Sequence, residues 1–299
     1  MESISFIGLG HMGNPMAANL VKAGFKVFVF DINKAAEAEL VKLGATAVSS
    51  IKDAALQADI VITMLQTDDQ VKGICLGEDG LLQNLNKDSL YIDSSSIDIS
   101  VTKELHEEAK SANIAMLDAP VSGGVKGAIN KTLTFMVGGE LSAFERAKPI
   151  LEAMGGNIIH AGDAGHGQAA KICNNLILAI SMIAVSEGFT LADKLGLDPK
   201  KFFEIASVST SQCWSMTKYC PYPGIIDNVP ANNEYKPGFT AKMMLKDLLL
   251  SQKAQEIVNT KLPMASRALD IYATFVSQGN EEIDFSGIIK MIETNGEYA

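Results

Sequence analysis

The chain has 299 residues, of which 47% are hydrophobic and 20% are charged, and its formal net charge is -10. This length is sufficient for a large core and two domains, and the composition is ordinary for a globular enzyme. The negative charge argues against binding to a nucleic-acid backbone, because such binding requires clustered Lys and Arg.

The most apolar stretch, residues 176–185, is shorter than the roughly 20 residues needed to span a bilayer. A helix buried between domains is therefore the favoured interpretation, with no membrane partner. The first predicted strand begins within a few residues of Met1, which leaves no room for a signal or transit peptide. We therefore expect a cytoplasmic protein.

A glycine-rich turn joins the first predicted strand to the first predicted helix. Residues 3–7 have the pattern of a short buried strand, Gly8-Leu9-Gly10-His11-Met12-Gly13 follows at once, and residues 14–23 have an amphipathic pattern. In dinucleotide-binding sheets the glycines make the tight bend, admit the pyrophosphate and allow close packing of helix on strand. The helix N-terminus then favours the anion. His11 is interpreted as a solvent-facing loop residue.

A second predicted strand, residues 26–30, ends in Asp31, where a carboxylate would meet the adenosine ribose. The combination favours a dinucleotide site over a merely structural turn. The same carboxylate would repel the 2′-phosphate of NADP, no Arg occupies position 32 or 33, and Lys34 is the only nearby cation. The sequence therefore predicts NAD as the cofactor.

Strands and helices alternate as far as Gly162, which predicts an α/β fold with a Rossmann-type doubly wound sheet of parallel strands. Ligands of such sheets bind beyond the carboxyl ends of the strands. Further strands are predicted at 59–64, 89–93, 115–118, 132–137 and 157–160, and helices at 34–43, 100–112 and 141–154.

After Gly165 the strand patterns stop, and residues 213–239 have the composition of an ordered loop over a site. The predicted domains are a dinucleotide-binding domain at 1–163 and an all-α substrate and oligomerisation domain at 164–299. Helices are predicted at 167–195, from Asp198-Pro199 onward, and at 240–258, 263–277 and 285–293.

Cysteine and histidine do not form a metal-binding pattern. The four cysteines have no CxxC pairing, and the four histidines are scattered. We expect reduced thiols and no metal site.

Three segments contain residues capable of chemistry, and each of them also has a purely structural explanation. Asp118-Ala119-Pro120-Val121-Ser122-Gly123-Gly124 follows a strand and can offer N–H groups to a carboxylate, but an ordinary strand-exit turn explains it equally well. Lys171 and Asn175 share a face of an apolar helix, although a Lys that extends to solvent would by itself be the favoured interpretation. Lys246-Asp247 also fits a solvated charge pair.

Taken together, these motifs resemble the β-hydroxyacid dehydrogenase family. Residues 8–16 resemble its cofactor fingerprint, 118–124 its substrate signature and 165–175 its catalytic signature, and the likeness extends to about Ala254. Residues 213–215, 221–230 and 246–248 are similar to the branch that acts on 3-hydroxyisobutyrate in particular.

The resemblance implies a role for each matching position. Lys171 would exchange the proton of the substrate hydroxyl, and Asn175 would hold the substrate and orient the lysine. Ser122, Gly123 and Gly124 would bind the substrate carboxylate, and Asp247, Trp214 and Phe239 would complete the substrate cleft. The cofactor would contact Gly8, Leu9, Gly10, His11, Met12, Gly13, Asp31, Met64, Leu65, Gln66, Gln70, Ser96 and Lys246.

Two positions depart from the family pattern. Gln66 stands where Pro is usual, which predicts a less rigid loop, and Ser96 stands where Thr is common, which keeps the hydroxyl.

The activity implied by the resemblance is NAD-dependent oxidation of (S)-3-hydroxyisobutyrate to methylmalonate semialdehyde, a step in valine breakdown. Alternatives are reduction of tartronate semialdehyde, succinate semialdehyde or glyoxylate by the same chemistry, or a non-catalytic dinucleotide-binding module. The apolar stretch at 176–185 and the resemblance both indicate a homodimer or homotetramer.

Overall fold

The computed structural model describes residues 2–294. The chain divides into two compact units, Met1–Lys171 and Ile172–Ala299. The sequence placed the domain boundary at 163/164. The two boundaries differ because the helix that begins at His166 starts in the first unit, where Gln168 forms hydrogen bonds to residues that follow the strands of the sheet or end them.

Nine strands of the described residues form one sheet in the first unit, in the order β3-β2-β1-β4-β5-β6-β8-β7, with β9 beside β8. The strands are β1 Ser3–Ile7, β2 Lys26–Phe30, β3 Thr46–Ala47, β4 Ile60–Thr63, β5 Leu90–Asp93, β6 Ala115–Asp118, β7 Val121–Ser122, β8 Leu133–Gly139 and β9 Gly155–Gly162. The strands from β3 to β6 are all parallel. Their carboxyl ends therefore share one edge, and the order reverses between β1 and β4, where a doubly wound sheet binds its ligand.

The other end of the sheet is not parallel throughout, which corrects the sequence prediction. β8 runs antiparallel to β6 and to the two-residue strand β7, and parallel to β9. The physical reason is the connection: a turn and a short helix between β6 and β8 replace the right-handed crossover that a parallel neighbour would need.

The helices of the first unit cover both faces of the sheet. They are α1 Gly13–Lys22, α2 Lys34–Leu43, α3 Ile51–Leu56, α4 Asp68–Leu76, α5 Leu81–Asn84, α6 Ile99–Ser111, α7 Gly124–Asn130 and α8 Leu141–Glu152. Several begin at side chains that cap a free N–H group, as Thr67 does for α4 and Asp98 for α6. The sequence predicted α1, α2, α6 and α8 and missed the four short helices.

The central strands are apolar on both faces, as parallel strands covered by helices must be. On β4, Ile60 and Ile62 pack into one apolar cluster, while Val61 packs into the cluster on the opposite face. Tyr91 of β5 joins the second cluster and is fully buried.

The second unit is helical within the described residues, apart from a single bridge between Thr240 and Asp284. Its helices are α9 His166–Lys194, which begins in the first unit, α10 Pro199–Ala206, α11 Trp214–Thr217, α12 Ala241–Ile257, α13 Pro263–Phe275 and α14 Ile288–Glu293. Short 3-10 turns at Pro230–Asn232 and Phe285–Gly287 and a π turn at Val276–Asn280 complete the described chain. The predicted loop at 213–239 therefore contains two helical turns.

Helix α9 has 29 residues and is the one helix among residues 2–294 that is long and apolar enough to cross a bilayer by length and composition. Half of its most apolar window is buried within the protein, and core helices of folded domains pass the same test.

Candidate active site

The glycine turn after β1 has the shape that a dinucleotide requires. Gly8 has φ +91°, and a Cβ there would overlap the carbonyl oxygen of Met64. A Cβ on Gly13 would overlap the carbonyl of Gly8, so α1 and β1 can pack closely only with glycine. A Cβ on Gly10 would meet nothing within 4 Å, which leaves its backbone open to a pyrophosphate. Leu9 is buried, Met12 is half-buried and His11 is exposed, as expected for His11.

The neighbouring strand ends bring the other predicted cofactor residues to the same edge. Asp31 follows β2 and accepts a hydrogen bond from the Leu9 N–H at 2.6 Å, which holds its carboxylate beside the glycine turn. Met64 and Leu65 follow β4, and the Leu65 N–H donates to the Ser95 hydroxyl at 2.9 Å. Ser96, after β5, is half-buried.

The loop that lacks the family proline is held in another way. The Gln66 N–H donates to Oε1 of Gln70 at 3.0 Å, and the Gln70 N–H donates to the Thr67 hydroxyl at 3.2 Å. A proline at position 66 has no N–H and could not make the first of these bonds. The glutamine pair therefore opposes the loss of rigidity that the sequence predicted.

The predicted carboxylate-binding segment lies beyond β6. Ser122 ends β7 and is half-buried, and it pairs with Thr134 of β8. Gly123 and Gly124 have φ values of +133° and +61°. Gly123 is the N-cap of α7, which begins at Gly124, and the first N–H groups of a helix have no partner within the helix and can donate to an anion.

Lys171 lies beside this segment. Its Nζ donates a hydrogen bond to the carbonyl oxygen of Val121, the residue before Ser122, at 2.9 Å. The side chain is half-buried rather than extended into solvent. The structure thus brings together the predicted proton-transfer residue and the predicted carboxylate site, which are 49 positions apart in the sequence (171 − 122).

The start of α9 is fixed by Asp118 and Gln168, which lie within the sequence signatures but to which the sequence assigned no individual role. The buried carboxylate of Asp118 accepts from the N–H groups of Gly165 and Gln168, both at 2.9 Å, and from His106 Nε2 at 3.0 Å. A carboxylate at a helix N-terminus also interacts favourably with the helix dipole. The buried Gln168 amide donates to the carbonyl of Ser95 at 2.7 Å. Lys171 therefore stands on a helix turn tied to two strand ends.

Asn175 and Asp247 form a buried pair within the second unit. The Asn175 amide donates a short hydrogen bond to the Asp247 carboxylate, and its Oδ1 accepts from Asn174 at 2.9 Å. Asp247 therefore orients Asn175, a role more specific than the general substrate contact predicted from the resemblance. Lys246, the predicted late cofactor contact, precedes it on α12 and is half-buried.

Trp214 and Phe239 belong to one aromatic stack. Trp214 is half exposed and stacks on Tyr219 at 4.9 Å between ring centroids, Tyr219 stacks on Phe285 at 5.5 Å, and Phe239 meets Phe285 edge-on at 5.6 Å. The buried carboxylate of Asp284 accepts from the Tyr219 hydroxyl at 2.9 Å and from the Phe239 N–H at 3.2 Å. Burial raises the pKa of Tyr219, with the Asp284 charge acting in the same direction, so Tyr219 remains a neutral donor.

No group of three or more His, Cys, Asp or Glu side chains capable of holding a metal ion occurs among residues 2–294. The four cysteines are free thiols. Burial raises the pKa of Cys75 to about 12 and that of Cys220 to about 11.

The glycine turn at the sheet edge, with a lysine beside the predicted carboxylate-binding segment, is the arrangement expected of a nicotinamide-dinucleotide-dependent dehydrogenase. A family model described as the NAD binding domain of 6-phosphogluconate dehydrogenase matches residues 3–162. A second model, described as NAD-binding of NADP-dependent 3-hydroxyisobutyrate dehydrogenase, matches residues 165–292.

Individual relatives cover nearly the whole chain. An NAD-dependent L-serine dehydrogenase of Pseudomonas aeruginosa is 45% identical over 98% of this chain and 98% of its own length. The human mitochondrial 3-hydroxyisobutyrate dehydrogenase is 43% identical over 97% of this chain and 86% of its own length. The structure of Mycobacterium tuberculosis 3-hydroxyisobutyrate dehydrogenase with L-serine is 44% identical, with a TM-score of 0.92, and covers 98% of this chain and 99% of that one.

The chain belongs to the 3-hydroxyisobutyrate dehydrogenase family of β-hydroxyacid dehydrogenases. It is an NAD-dependent hydroxyacid dehydrogenase, and the predictions of family, fold class and NAD as cofactor are confirmed.

Proposed function

We propose that the protein oxidises (S)-3-hydroxyisobutyrate to methylmalonate semialdehyde, a step in valine breakdown. The observation that carries the proposal is the hydrogen bond from Lys171 Nζ to the Val121 carbonyl, which holds an amine beside Ser122, Gly123 and Gly124. Relatives named for this activity at 43% to 44% identity support the choice of substrate.

The carboxylate of the substrate would bind to the N–H groups of Gly123 and Gly124 and to the Ser122 hydroxyl, since the two glycines stand at the N-terminus of α7, where N–H groups have no partner within the helix. Bound NAD supplies the acceptor for the hydride that leaves the carbinol carbon. The unprotonated amine of Lys171 takes the hydroxyl proton in that step, and in the reductive direction it returns the proton to the oxygen. The bond to Val121 keeps the amine in place for both directions.

Asn175 would bind the substrate near its hydroxyl group, and Asp247 would fix the orientation of the Asn175 amide. Lys246 would contact the cofactor, and Trp214 and Phe239 would shape the wall that selects the substituent at the second carbon. These assignments stay predictions. The expected homodimer or homotetramer and the cytoplasmic location are proposals as well.

Oxidation of L-serine is a second candidate, favoured by the L-serine dehydrogenase relative and by the relative whose structure contains L-serine. Both compounds carry a carboxylate and a hydroxyl on the third carbon, so the same residues would serve. They differ at the second carbon, which bears a methyl group in one and an ammonium group in the other.

The test is the initial rate of NADH formation with purified protein and (S)-3-hydroxyisobutyrate, L-serine, glycerate and 4-hydroxybutyrate. Glycerate and 4-hydroxybutyrate report the tartronate semialdehyde and succinate semialdehyde alternatives in the oxidative direction, and glycolate, added to the same panel, reports the glyoxylate alternative. We expect kcat/KM for (S)-3-hydroxyisobutyrate to exceed that for L-serine at least tenfold, about 1.4 kcal/mol. A higher value for L-serine would overturn the first choice and establish the second. No turnover of any compound would favour the non-catalytic module.

A further inference from the structure

The turn between β2 and α2 surrounds the position where the adenosine ribose would lie. Asp31 accepts the Leu9 N–H on Oδ2 at 2.6 Å and the Asn33 N–H on Oδ1 at 2.7 Å. Each carboxylate oxygen has a second lone pair, so Asp31 can still accept from ribose hydroxyls. The carboxylate is thus fixed in place before any ligand arrives.

A second carboxylate, Glu37, lies behind Asp31 in the first turn of α2. Its Oε1 accepts from the backbone N–H of Asp31 at 2.9 Å and from Lys34 Nζ at 2.7 Å. Glu37 is only 5% exposed. A buried carboxylate that receives both a backbone donor and a cation is well satisfied and holds both groups in position.

Lys34 is consequently occupied. Besides its ion pair with Glu37, its ammonium lies over the Phe30 ring at 4.5 Å from the centroid. No other Lys or Arg occurs between positions 27 and 41, so Lys34 is the cation that this turn itself can offer to a 2′-phosphate. With Asp31, Glu37 and Lys34 charged, the turn carries one net negative charge (−1 − 1 + 1).

We propose that Glu37 is a second specificity-determining residue of the cofactor site, which selects a dinucleotide with a free 2′-hydroxyl by withholding Lys34 from a 2′-phosphate. Asp31 supplies the direct repulsion, while Glu37 removes the cation that would relieve it. The inference rests on dinucleotide binding at the glycine turn and is independent of which hydroxyacid is oxidised.

The experiment is calorimetric titration of the full chain with NADH and with NADPH, without substrate, so that its result does not depend on turnover. Glu37→Gln keeps an oxygen for the Asp31 N–H and removes the charge that binds Lys34. We expect the Kd for NADPH to fall about tenfold, because the partly exposed cation of Lys34 becomes available to the 2′-phosphate. The Kd for NADH should change less than about threefold, because NADH has no 2′-phosphate.

Lys34→Met tests the mechanism in both backgrounds. In the unmodified protein it should leave the Kd for NADPH nearly unchanged, because the cation is withheld. In the Glu37→Gln background it should cancel the gain, and this non-additivity measures the coupling. Glu39→Gln is the matched control, because it removes the same charge from the same helix and contacts Asn14 instead.

An unchanged ratio of the two Kd values in Glu37→Gln would overturn the proposal. An equal change in Glu39→Gln would also overturn it, because the effect would then reflect net charge alone. Failure of the unmodified protein to bind NADH would instead contradict the cofactor site itself.

Discussion

Ser122 and Lys171 are neighbours in space but would contribute to different parts of the reaction. A carboxylate contact is made equally in the bound substrate and in the transition state, whereas proton transfer occurs only in the latter. Ser122→Ala should therefore raise KM for the hydroxyacid roughly tenfold and lower kcat by less than about threefold. Steady-state kinetics checks this, with Ser122→Thr as the variant that retains a hydroxyl. A fall in kcat at constant KM would place Ser122 in the chemical step.

Asp93 is a residue whose charge opposes folding. It is fully buried at the end of β5, and its Oδ2 has no hydrogen-bond partner among the described residues. Burial raises its pKa, while bonds from Ser95 and Thr63 act in the opposite direction. The folded chain therefore keeps a proton that the unfolded chain loses near pH 3.8, and the free energy of unfolding declines as pH rises above that value through the folded pKa.

Asp93→Asn should remove this decline, so that the variant becomes progressively more stable than the unmodified protein as pH rises from about 4, by up to roughly 1.4 kcal/mol per pH unit. Urea unfolding from pH 3 upward measures the difference. Asp59→Asn is a control of opposite sign, because the Ser3 N–H lowers the pKa of Asp59. Its carboxylate stabilises the fold above pH 3.8, and the benefit is lost as pH falls through the folded pKa. A constant difference for Asp93→Asn would contradict the account.

The sequence alone was sufficient to predict the residues whose roles depend on local geometry. The spacing of Gly8, Gly10 and Gly13 and the position of Asp31 predicted the cofactor turn, because steric demands there act within one strand, turn and helix. Asp247 and Asp284 could not be assigned in this way. Their partners lie 72 and 65 positions away, at Asn175 and Tyr219, and nothing in the local sequence marks such a contact.

At the scale of elements, the decisive feature is the attachment of the first turn of α9. Gln168 joins it to the Ser95 carbonyl, and its N–H donates to Asp118. Gln168→Leu should reduce kcat/KM for the hydroxyacid roughly 10- to 100-fold, because displacement of Lys171 by about 1 Å is costly. Gln83→Leu, at an exposed position of α5 in the first unit, should have no effect. The pH profile of kcat separates misplacement of Lys171 from simple loss of folded protein, and unchanged kinetics would show that Gln168 does not position the lysine.

Element prediction succeeded where a continuous pattern ended at a clear boundary residue. The bounds of β1, β2 and α2 agree with the sequence, since each is a continuous run ended by Gly or a polar residue. The helices α3, α4, α5 and α7 were missed because six, nine, four and seven residues leave little periodicity to detect. The antiparallel direction of β8 was also missed, because direction depends on the connection and not on the strand's own residues.

At the scale of the whole molecule, α9 presents an apolar stripe within the second unit. Ile177 is 65% exposed and Leu191 is 61% exposed, and the exposed Ala184 lies midway between them, at a spacing of seven residues. Such spacing keeps the side chains on one helix face, where a second helix can cover them. We expect a homodimer or homotetramer assembled through this stripe.

The double variant Ile177→Glu/Leu191→Glu should therefore shift the protein toward monomer in light scattering at micromolar concentration, because charges on a packed apolar face are costly to bury. Val208→Glu is the control, since Val208 is 84% exposed and lies outside the stripe. A monomeric unmodified protein, or a double variant of unchanged mass, would contradict the proposed assembly.

The central claim is that Lys171 transfers the proton during NAD-dependent oxidation of a hydroxyacid. It is tested most directly by kcat of Lys171→Ala, measured together with the Kd for NADH of the same preparation. Proton transfer by a positioned side chain contributes roughly 100- to 10,000-fold, so kcat should fall within or beyond that range while the Kd for NADH stays within about threefold. A kcat close to that of the unmodified protein, with NADH bound normally, would contradict the claim.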